Sequence, residues 1–227
     1  MVAILEKLRN SYQQRRQIAL PSILGFMLFV NILLVVMIIL ILFNAPEGDI
    51  DYHFREERGA ITALSAIFLA VASGLAGASF FLIDKDHKSK KVFWLLNMTA
   101  FGFFAWDELM QEHEKLGQWI RDSWMGSSQI FRNWNDAVVI VYGIVALIFF
   151  VYFLPIILNY PKFIEILAIA FIFYITHTAI DSLSVERTSM SVILEETCKL
   201  FSSAYFACAM FVGLLGNIVV YCSSPKH

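Results

Sequence analysis

Four long stretches without a charged residue constrain this chain more than any other feature of its sequence. They cover residues 20–43, 60–83, 137–159 and 200–221. A helix needs roughly 20 apolar residues to cross the hydrocarbon core of a bilayer, and each stretch supplies them. These stretches therefore predict four transmembrane helices.

Two shorter apolar stretches predict two further spans. Residues 92–106 and 166–180 contain only 15 residues each between charges, which is too short to cross a bilayer without polar neighbours. We therefore place these spans at about 92–111 and 163–182, which draws the carboxylates at their ends to the edge of the bilayer. The alternative is a pair of re-entrant or interfacial helices.

The composition agrees with a membrane protein. The chain is 59% hydrophobic and 16% charged, with a mean hydropathy of +0.67, whereas a soluble domain is usually about 25% charged. We predict an all-α fold, a polytopic transmembrane helix bundle of about six spans that forms one domain over residues 1–227. Residues 112–136, which include three tryptophans, are predicted to form an outer interfacial segment. A net charge of −2 provides no basis for a nucleic-acid partner.

Lysine and arginine residues predict the orientation. Four lysines lie in the short connection 84–91, on the same side as the basic segment that precedes the first span. The positive-inside rule makes this side cytoplasmic, so both termini are predicted inside, in a multi-pass protein of a bacterial-type inner membrane. Of the 19 acidic residues, all but four then lie on the outer side.

The densest group of acids continues the third span outward. Residues 107–114 read Asp-Glu-Leu-Met-Gln-Glu-His-Glu, and on one continuous helix Asp107, Gln111 and Glu114 would share a face. Glu108 and Glu112 would share the neighbouring face, and His113 lies between the acids. These side chains are candidates for binding a cation or a proton, and a solvated helix end is the alternative.

A second polar pair lies inside the fifth predicted span. His177 and Asp181 are four residues apart, a spacing that lets an imidazole and a carboxylate reach the same ion or each other. A histidine within a span is costly and usually functional. An interhelical hydrogen bond is the alternative explanation.

Two glutamates at the outer starts of other spans extend this candidate site. They are Glu57, before the second span, and Glu196, before the sixth. Next to the latter, Glu195 and Lys199 have the spacing and order of a surface ion pair, which is the simpler interpretation of that segment.

Mixed histidine and carboxylate side chains on facing helices suit a divalent metal such as zinc, iron or manganese. The predicted ligands are Glu108, His113, His177 and Asp181. Such a metal would offset repulsion among the acids and could activate water to hydrolyse a lipid-like substrate, or support oxygen chemistry. The Glu-x-x-His motif of ferritin-like di-metal bundles does not occur in the sequence.

Short motifs resemble those of a group of uncharacterised multipass membrane proteins of bacteria and archaea. They are Ala-Trp-Asp-Glu at 105–108, His-Glu at 113–114 and Glu-Glu at 195–196, the first two forming an Asp-Glu-x4-His-Glu pattern. The resemblance covers the third to sixth spans and implies no activity. The positions it carries over are Asp107, Glu108, His113, Glu114 and Glu196.

Three functions fit these features, with membrane lipid as a partner in each. The first is a metal-dependent membrane enzyme acting on a lipid-like substrate. The second is a non-catalytic subunit of a larger membrane complex, with other membrane subunits or further copies of the chain as partners, because no complete catalytic motif occurs. The third is a proton- or cation-coupled carrier, since acids within spans often serve ion pathways.

Overall fold

A computed structural model describes residues 23–55, 59–125, 134–160, 162–183 and 188–223. Every regular element in these residues is helical, which confirms the predicted all-α fold. The helices are α1 (Ile23–Phe43), α2 (Tyr52–Arg55), α3 (Ala60–Leu82), α4 (Lys88–Met110), α5 (Glu112–Ile120), α6 (Trp134–Ile157), α7 (Phe163–Leu183) and α8 (Ser189–Ser223), with a π-helical turn at Arg121–Met125 after α5.

Within the described residues, five helices are long and apolar enough to cross a membrane, namely α1, α3, α6, α7 and α8. The chain is therefore a multi-pass helical membrane protein. Helix α4 has 23 residues, but lysines at its start and the acids Asp107 and Glu108 near its end leave a shorter apolar segment. That α4 is a sixth span stays a prediction, as does the cytoplasmic position of both termini.

Helix α3 packs closely along both α4 and α8, and α8 also packs closely along α7. Small residues permit this approach: Ala72 and Ala76 are fully buried, and a Cβ atom at Gly77 would lie 3.1 Å from the Met98 sulfur. The Ser73 hydroxyl also donates a hydrogen bond of 2.7 Å to the Met98 carbonyl oxygen. Close contact between helices replaces the hydrophobic effect as the source of stability inside a bilayer.

An aromatic cluster fixes the end of the bundle where α4 begins. Trp94 is fully buried and donates a hydrogen bond of 3.0 Å to the Tyr160 hydroxyl. That hydroxyl in turn donates to Asn217 Oδ1 at 2.9 Å. At Gly213 of α8, any side chain would collide with the Trp94 ring. These contacts join α4, the α6–α7 connection and α8.

Helix α6 completes the bundle with looser packing. Its start lies against α5, where Gly117 touches the backbone of Asn135 so closely that a side chain there would collide with it. Further along, the Tyr174 hydroxyl of α7 donates a hydrogen bond of 2.7 Å to the Val139 carbonyl oxygen. Helix α6 approaches α4 and α7 less closely than α3 approaches its neighbours, so a cavity remains between α4, α6, α7 and α8.

Candidate functional site

The acidic segment 107–114 lies at a break between α4 and α5. Gln111 adopts a left-handed backbone conformation, with φ 56° and ψ 40°, and its N–H donates to the Asp107 carbonyl oxygen at 2.6 Å. The single continuous helix expected over 107–114 is therefore wrong, although Asp107, Gln111 and Glu114 do line one cavity. The left-handed region is costly for a residue other than glycine, so the surrounding contacts must hold this turn.

Asp107 is the side chain that holds the turn. Its Oδ1 accepts a hydrogen bond of 2.8 Å from the His113 backbone N–H, and its Oδ2 lies 3.0 Å from the His113 ring Nδ1. The first N–H groups of a helix lack partners within that helix and favour a negative charge. Asp107, which is only 6% exposed, thus caps α5 from the preceding helix.

His113 is paired with a carboxylate. Burial lowers the pKa of the imidazole, but the hydrogen bond to Asp107 and the negative charges of Asp107, Glu108 and Glu114 outweigh burial and raise the pKa above its ordinary value. The contact with Asp107 thus stabilises the protonated imidazole relative to a free one, and only the neutral form has a lone pair to offer a metal ion.

A second ion-pair network joins α4 to α8. The Lys199 ammonium lies 2.9 Å from Glu108 Oε1 and 2.7 Å from Glu196 Oε2. All three side chains are largely buried, with exposures of 20%, 15% and 12%. Two carboxylates share one ammonium, so the group keeps a net negative charge when ionised. The structure thus brings two predicted site residues, Glu108 and Glu196, together through Lys199. From the sequence, Lys199 was expected to form a surface ion pair with Glu195.

His177 and Asp181 of α7 face the same region. The His177 Nδ1 atom is buried and has no hydrogen-bond partner among the described residues. The charged groups of Lys199, Asp181, Glu108 and His113 lie close enough to act on its imidazole. Polar residues of α4 and α7 therefore line the same cavity, which could not be deduced from the sequence.

Seven of the predicted site residues line the cavity between α4, α6, α7 and α8. They are Asp107, Glu108, His113, Glu114, His177, Asp181 and Glu196. Glu112 instead forms an exposed ion pair of 2.7 Å with Lys115, and Glu57 lies outside the described residues.

Nowhere in the described part of the chain do three or more His, Cys, Asp or Glu residues form a group that could hold a metal ion. Two of the four predicted ligands pair with other side chains: Glu108 with Lys199, and His113 with Asp107. A site for zinc, iron or manganese stays a prediction from the sequence.

The cavity has a volume of about 830 Å³, within the range of roughly 300–1,000 Å³ typical of small-molecule sites. Its charged end lies where α4 and α7 finish and where α6 and α8 begin. The rest of its wall is rich in phenylalanine, with Phe93, Phe149, Phe150, Phe163, Phe171 and Phe206 among the lining residues. The cavity is therefore charged at one end and mainly apolar along the rest of its wall.

The cavity also contains polar residues that sequence reasoning did not assign to the site, among them Asp136, Ser182 and Lys199. Asp136 lies in the first turn of α6 and is 1% exposed. The sequence did contain a signal for Asp136, since this residue directly precedes a long apolar stretch. A carboxylate at such a position must either reach the lipid headgroups or point into the bundle.

The comparisons with known proteins give a family and no activity. No curated protein and no solved structure matches the chain. Residues 21–214 match a family model described as Domain of unknown function (DUF8692). This match runs from the start of α1 through most of α8 and includes every described residue of the cavity. The chain therefore belongs to the DUF8692 family.

Proposed function

We propose that this protein binds a lipid-like amphiphile in the cavity between α4, α6, α7 and α8. The polar group of the ligand would lie among the carboxylates and histidines, and its hydrocarbon would lie along the phenylalanine-rich wall. The observation that carries this proposal is that one cavity joins a charged end to an aromatic wall. An amphiphile has the same division along its length.

The aromatic wall determines the shape of the cavity more than it contributes to the free energy of ligand binding. Phe93 and Phe163 are almost completely buried and form a fixed floor at the far end of the cavity. A hydrocarbon chain that moves from the bilayer into this cavity exchanges one apolar environment for another, so it gains packing contacts and little hydrophobic free energy. Affinity and selectivity must therefore come mainly from the polar end.

The loose packing of α6 favours access from the bilayer. Its outward side chains are highly exposed, including Ile148 at 65% and Val151 at 61%, which is expected of a surface that contacts lipid. Small separations of α6 from α4 or α7 would open the cavity sideways, whereas α3 packs closely along both α4 and α8. A lipid could then enter without crossing the aqueous phase.

A pair of variants on α6 tests the proposal. Ala146 lines the cavity, so Ala146→Trp should fill part of it and reduce the lipid that remains bound to the purified protein. Ile148 points outward on the same helix, so Ile148→Trp is the matched control and should retain the lipid. Native mass spectrometry of both variants measures the occupancy. Equal occupancy in the two variants would locate any bound lipid elsewhere.

We propose ligand binding without a metal-dependent step, because two of the four predicted metal ligands pair with other side chains, Glu108 with Lys199 and His113 with Asp107. Elemental analysis of the purified protein and of His177→Ala tests this point. We expect little metal in either preparation. One equivalent of metal in the wild type that is lost in His177→Ala would instead support the hydrolase predicted from the sequence.

A further inference from the structure

We infer that the ligand has an uncharged headgroup with at least two hydroxyl groups, of the glycerol type, which hydrogen-bonds to His177 and Ser182 of α7. This inference rests on the proposed function and adds the chemical class of the polar group. It ranks a glycerol headgroup above a single alcohol, an amine and a phosphate.

Two buried polar atoms of α7 have no hydrogen-bond partner among the described residues. They are His177 Nδ1 and Ser182 Oγ, and both residues line the cavity. Two other hydroxyls of this helix differ, since those of Thr176 and Thr178 donate to carbonyl oxygens four residues back, at 2.8 and 2.9 Å. Buried polar groups are usually hydrogen-bonded. The His177 and Ser182 atoms are therefore available to a ligand in the cavity.

The charged side chains around the cavity already interact with other groups of the protein. Apart from His177, the basic side chains among the described lining residues lie in ion pairs: Arg55 with Asp49, His113 with Asp107, and Lys199 with Glu108 and Glu196. The other described acidic residues of the lining also have partners, namely Glu114, Asp136, Asp181 and Glu195. An ionic headgroup would compete with these partners, and a buried charge that loses its partner is costly. An uncharged headgroup leaves the existing pairs intact.

The spacing of His177 and Ser182 favours more than one hydroxyl group. The two residues are five apart on α7, so their Cα atoms differ by about 7.5 Å along the helix axis. One ligand oxygen with two hydrogen bonds of about 3 Å can join atoms that are at most roughly 6 Å apart. Neighbouring hydroxyls of a glycerol extend this reach. Each can donate and accept, so the pair suits a serine hydroxyl and either tautomer of a neutral imidazole.

Four probes with the same hydrocarbon chain separate these headgroups on the wild-type protein. Hexadecyl glyceryl ether, hexadecanol, hexadecylamine and hexadecyl phosphate are each titrated against the protein in nanodiscs of zwitterionic lipid, and bound probe is counted by native mass spectrometry after release. We expect the glyceryl ether to bind about tenfold more tightly than hexadecanol, and both ions to bind more weakly than the glyceryl ether. Equal binding of the glyceryl ether and hexadecanol would overturn the inference. Tightest binding of the amine or of the phosphate would do the same.

Variants of α7 test the two proposed contacts. His177→Ala and Ser182→Ala should each reduce the preference for the glyceryl ether over hexadecanol several-fold. His177→Asn should recover part of that preference, because a side-chain amide can also donate and accept. A preference unchanged in both alanine variants would contradict the contacts.

Thr176→Ala is the matched control on the same helix. Its hydroxyl is exposed and donates to the Ile172 carbonyl oxygen, so the preference for the glyceryl ether should not change. A loss in Thr176→Ala equal to that in His177→Ala would show a general effect on α7 and count against the contacts.

The Ala146→Trp variant separates this inference from the proposed function. If Ala146→Trp reduces binding of all four probes while the wild type does not prefer the glyceryl ether, the cavity binds amphiphiles and the inference about the headgroup is wrong. If Ala146→Trp changes binding of none of them, both the cavity assignment and the inference fail. Reduced binding in Ala146→Trp together with a preference for the glyceryl ether in the wild type supports both.

Discussion

The side chain of Asp107 links two helices through one carboxylate. It accepts the His113 backbone N–H at the start of α5, and it faces the His113 ring. Both contacts depend on the left-handed turn at Gln111. The carboxylate that sequence reasoning assigned to cation binding therefore has a structural role in this turn, where capping contacts are usually worth about 1 kcal/mol.

His113 should make stability depend on pH. Its pKa is raised in the folded protein, so its contribution to stability is fully present below the unfolded pKa and is lost as the pH rises through the folded pKa. We expect the difference in unfolding temperature between wild type and His113→Gln to be largest below the ordinary histidine pKa of about 6.5 and to shrink as the pH rises above it. The exposed His87 provides the control, because His87→Gln should shift the unfolding temperature little at any of these pH values. A constant difference for His113→Gln would contradict the assignment.

Lys199 should be among the most sensitive positions to substitution. In Lys199→Met, Glu108 and Glu196 lose the ammonium that they share. Removal of one partner from a buried ion pair costs roughly 3–5 kcal/mol, which thermal unfolding in detergent would detect. Lys115→Met is the control, since that pair with Glu112 is exposed and should be worth at most about 1 kcal/mol. Recovery of stability when both glutamates are also changed to glutamine would confirm that the cost is electrostatic.

At the scale of helices, close packing leaves no room for a side chain at Gly213. A side chain at Gly213 would collide with the Trp94 ring, whereas nothing lies within 4 Å of a Cβ atom at Gly74. Gly213→Ala should therefore destabilise the protein by about 1–3 kcal/mol, and Gly74→Ala should be neutral or slightly stabilising. Thermal unfolding of the two variants side by side measures the difference. Equal unfolding temperatures would mean that Trp94 can move aside without cost.

The spans were predictable from the sequence because hydropathy is a local property. The long charge-free stretches correspond to α1, α3, α6 and the apolar part of α8. The start of α8 was not predictable, since Ser189–Ser223 passes through Glu195, Glu196 and Lys199, which interrupt the apolar pattern. These charges are accommodated because Glu108 of a distant helix pairs with Lys199. The break at Gln111 was equally hidden, because glutamine carries no local signal for a left-handed turn.

The candidate site was partly predictable. Acids and histidines at the ends of two short apolar stretches indicated where polar groups would gather, and most of those residues do line one cavity. Their partners depend on which helices are neighbours, and hydropathy carries no information on that. The ion pairs of Glu108 and His113 therefore emerged only from the three-dimensional structure.

At the scale of the whole molecule, the topology predicts where exposed positions are accessible. If α4 crosses the bilayer, Ser89 at its start and Ser123 beyond α5, both exposed, lie on opposite sides of the membrane. In a Cys222→Ser background, we expect Ser89→Cys to react with an impermeant maleimide only from the cytoplasmic side and Ser123→Cys only from the outer side. Labelling of both from one side would mean that α4 does not span.

The cavity accounts for why a bundle this apolar retains so many acids at one end. Helices α4, α7 and α8 bring the carboxylates together, and α6 covers the space between them while contacting lipid on its outer face. The ion pairs of Asp107 with His113 and of Lys199 with two glutamates hold the shape of that end. A shaped polar end with an aromatic extension is the arrangement expected of a site that selects an amphiphile.

Photolabelling tests this account most directly. A long-chain glyceryl ether with a diazirine at the end of its hydrocarbon is bound to the protein in nanodiscs, irradiated, and its attachment sites are mapped by peptide mass spectrometry. We predict labels on the wall of the cavity, near Phe93, Phe163 and Phe171, and a loss of those labels in Ala146→Trp. Labels confined to the outward faces of α1 and α6, unchanged in Ala146→Trp, would contradict binding in the cavity.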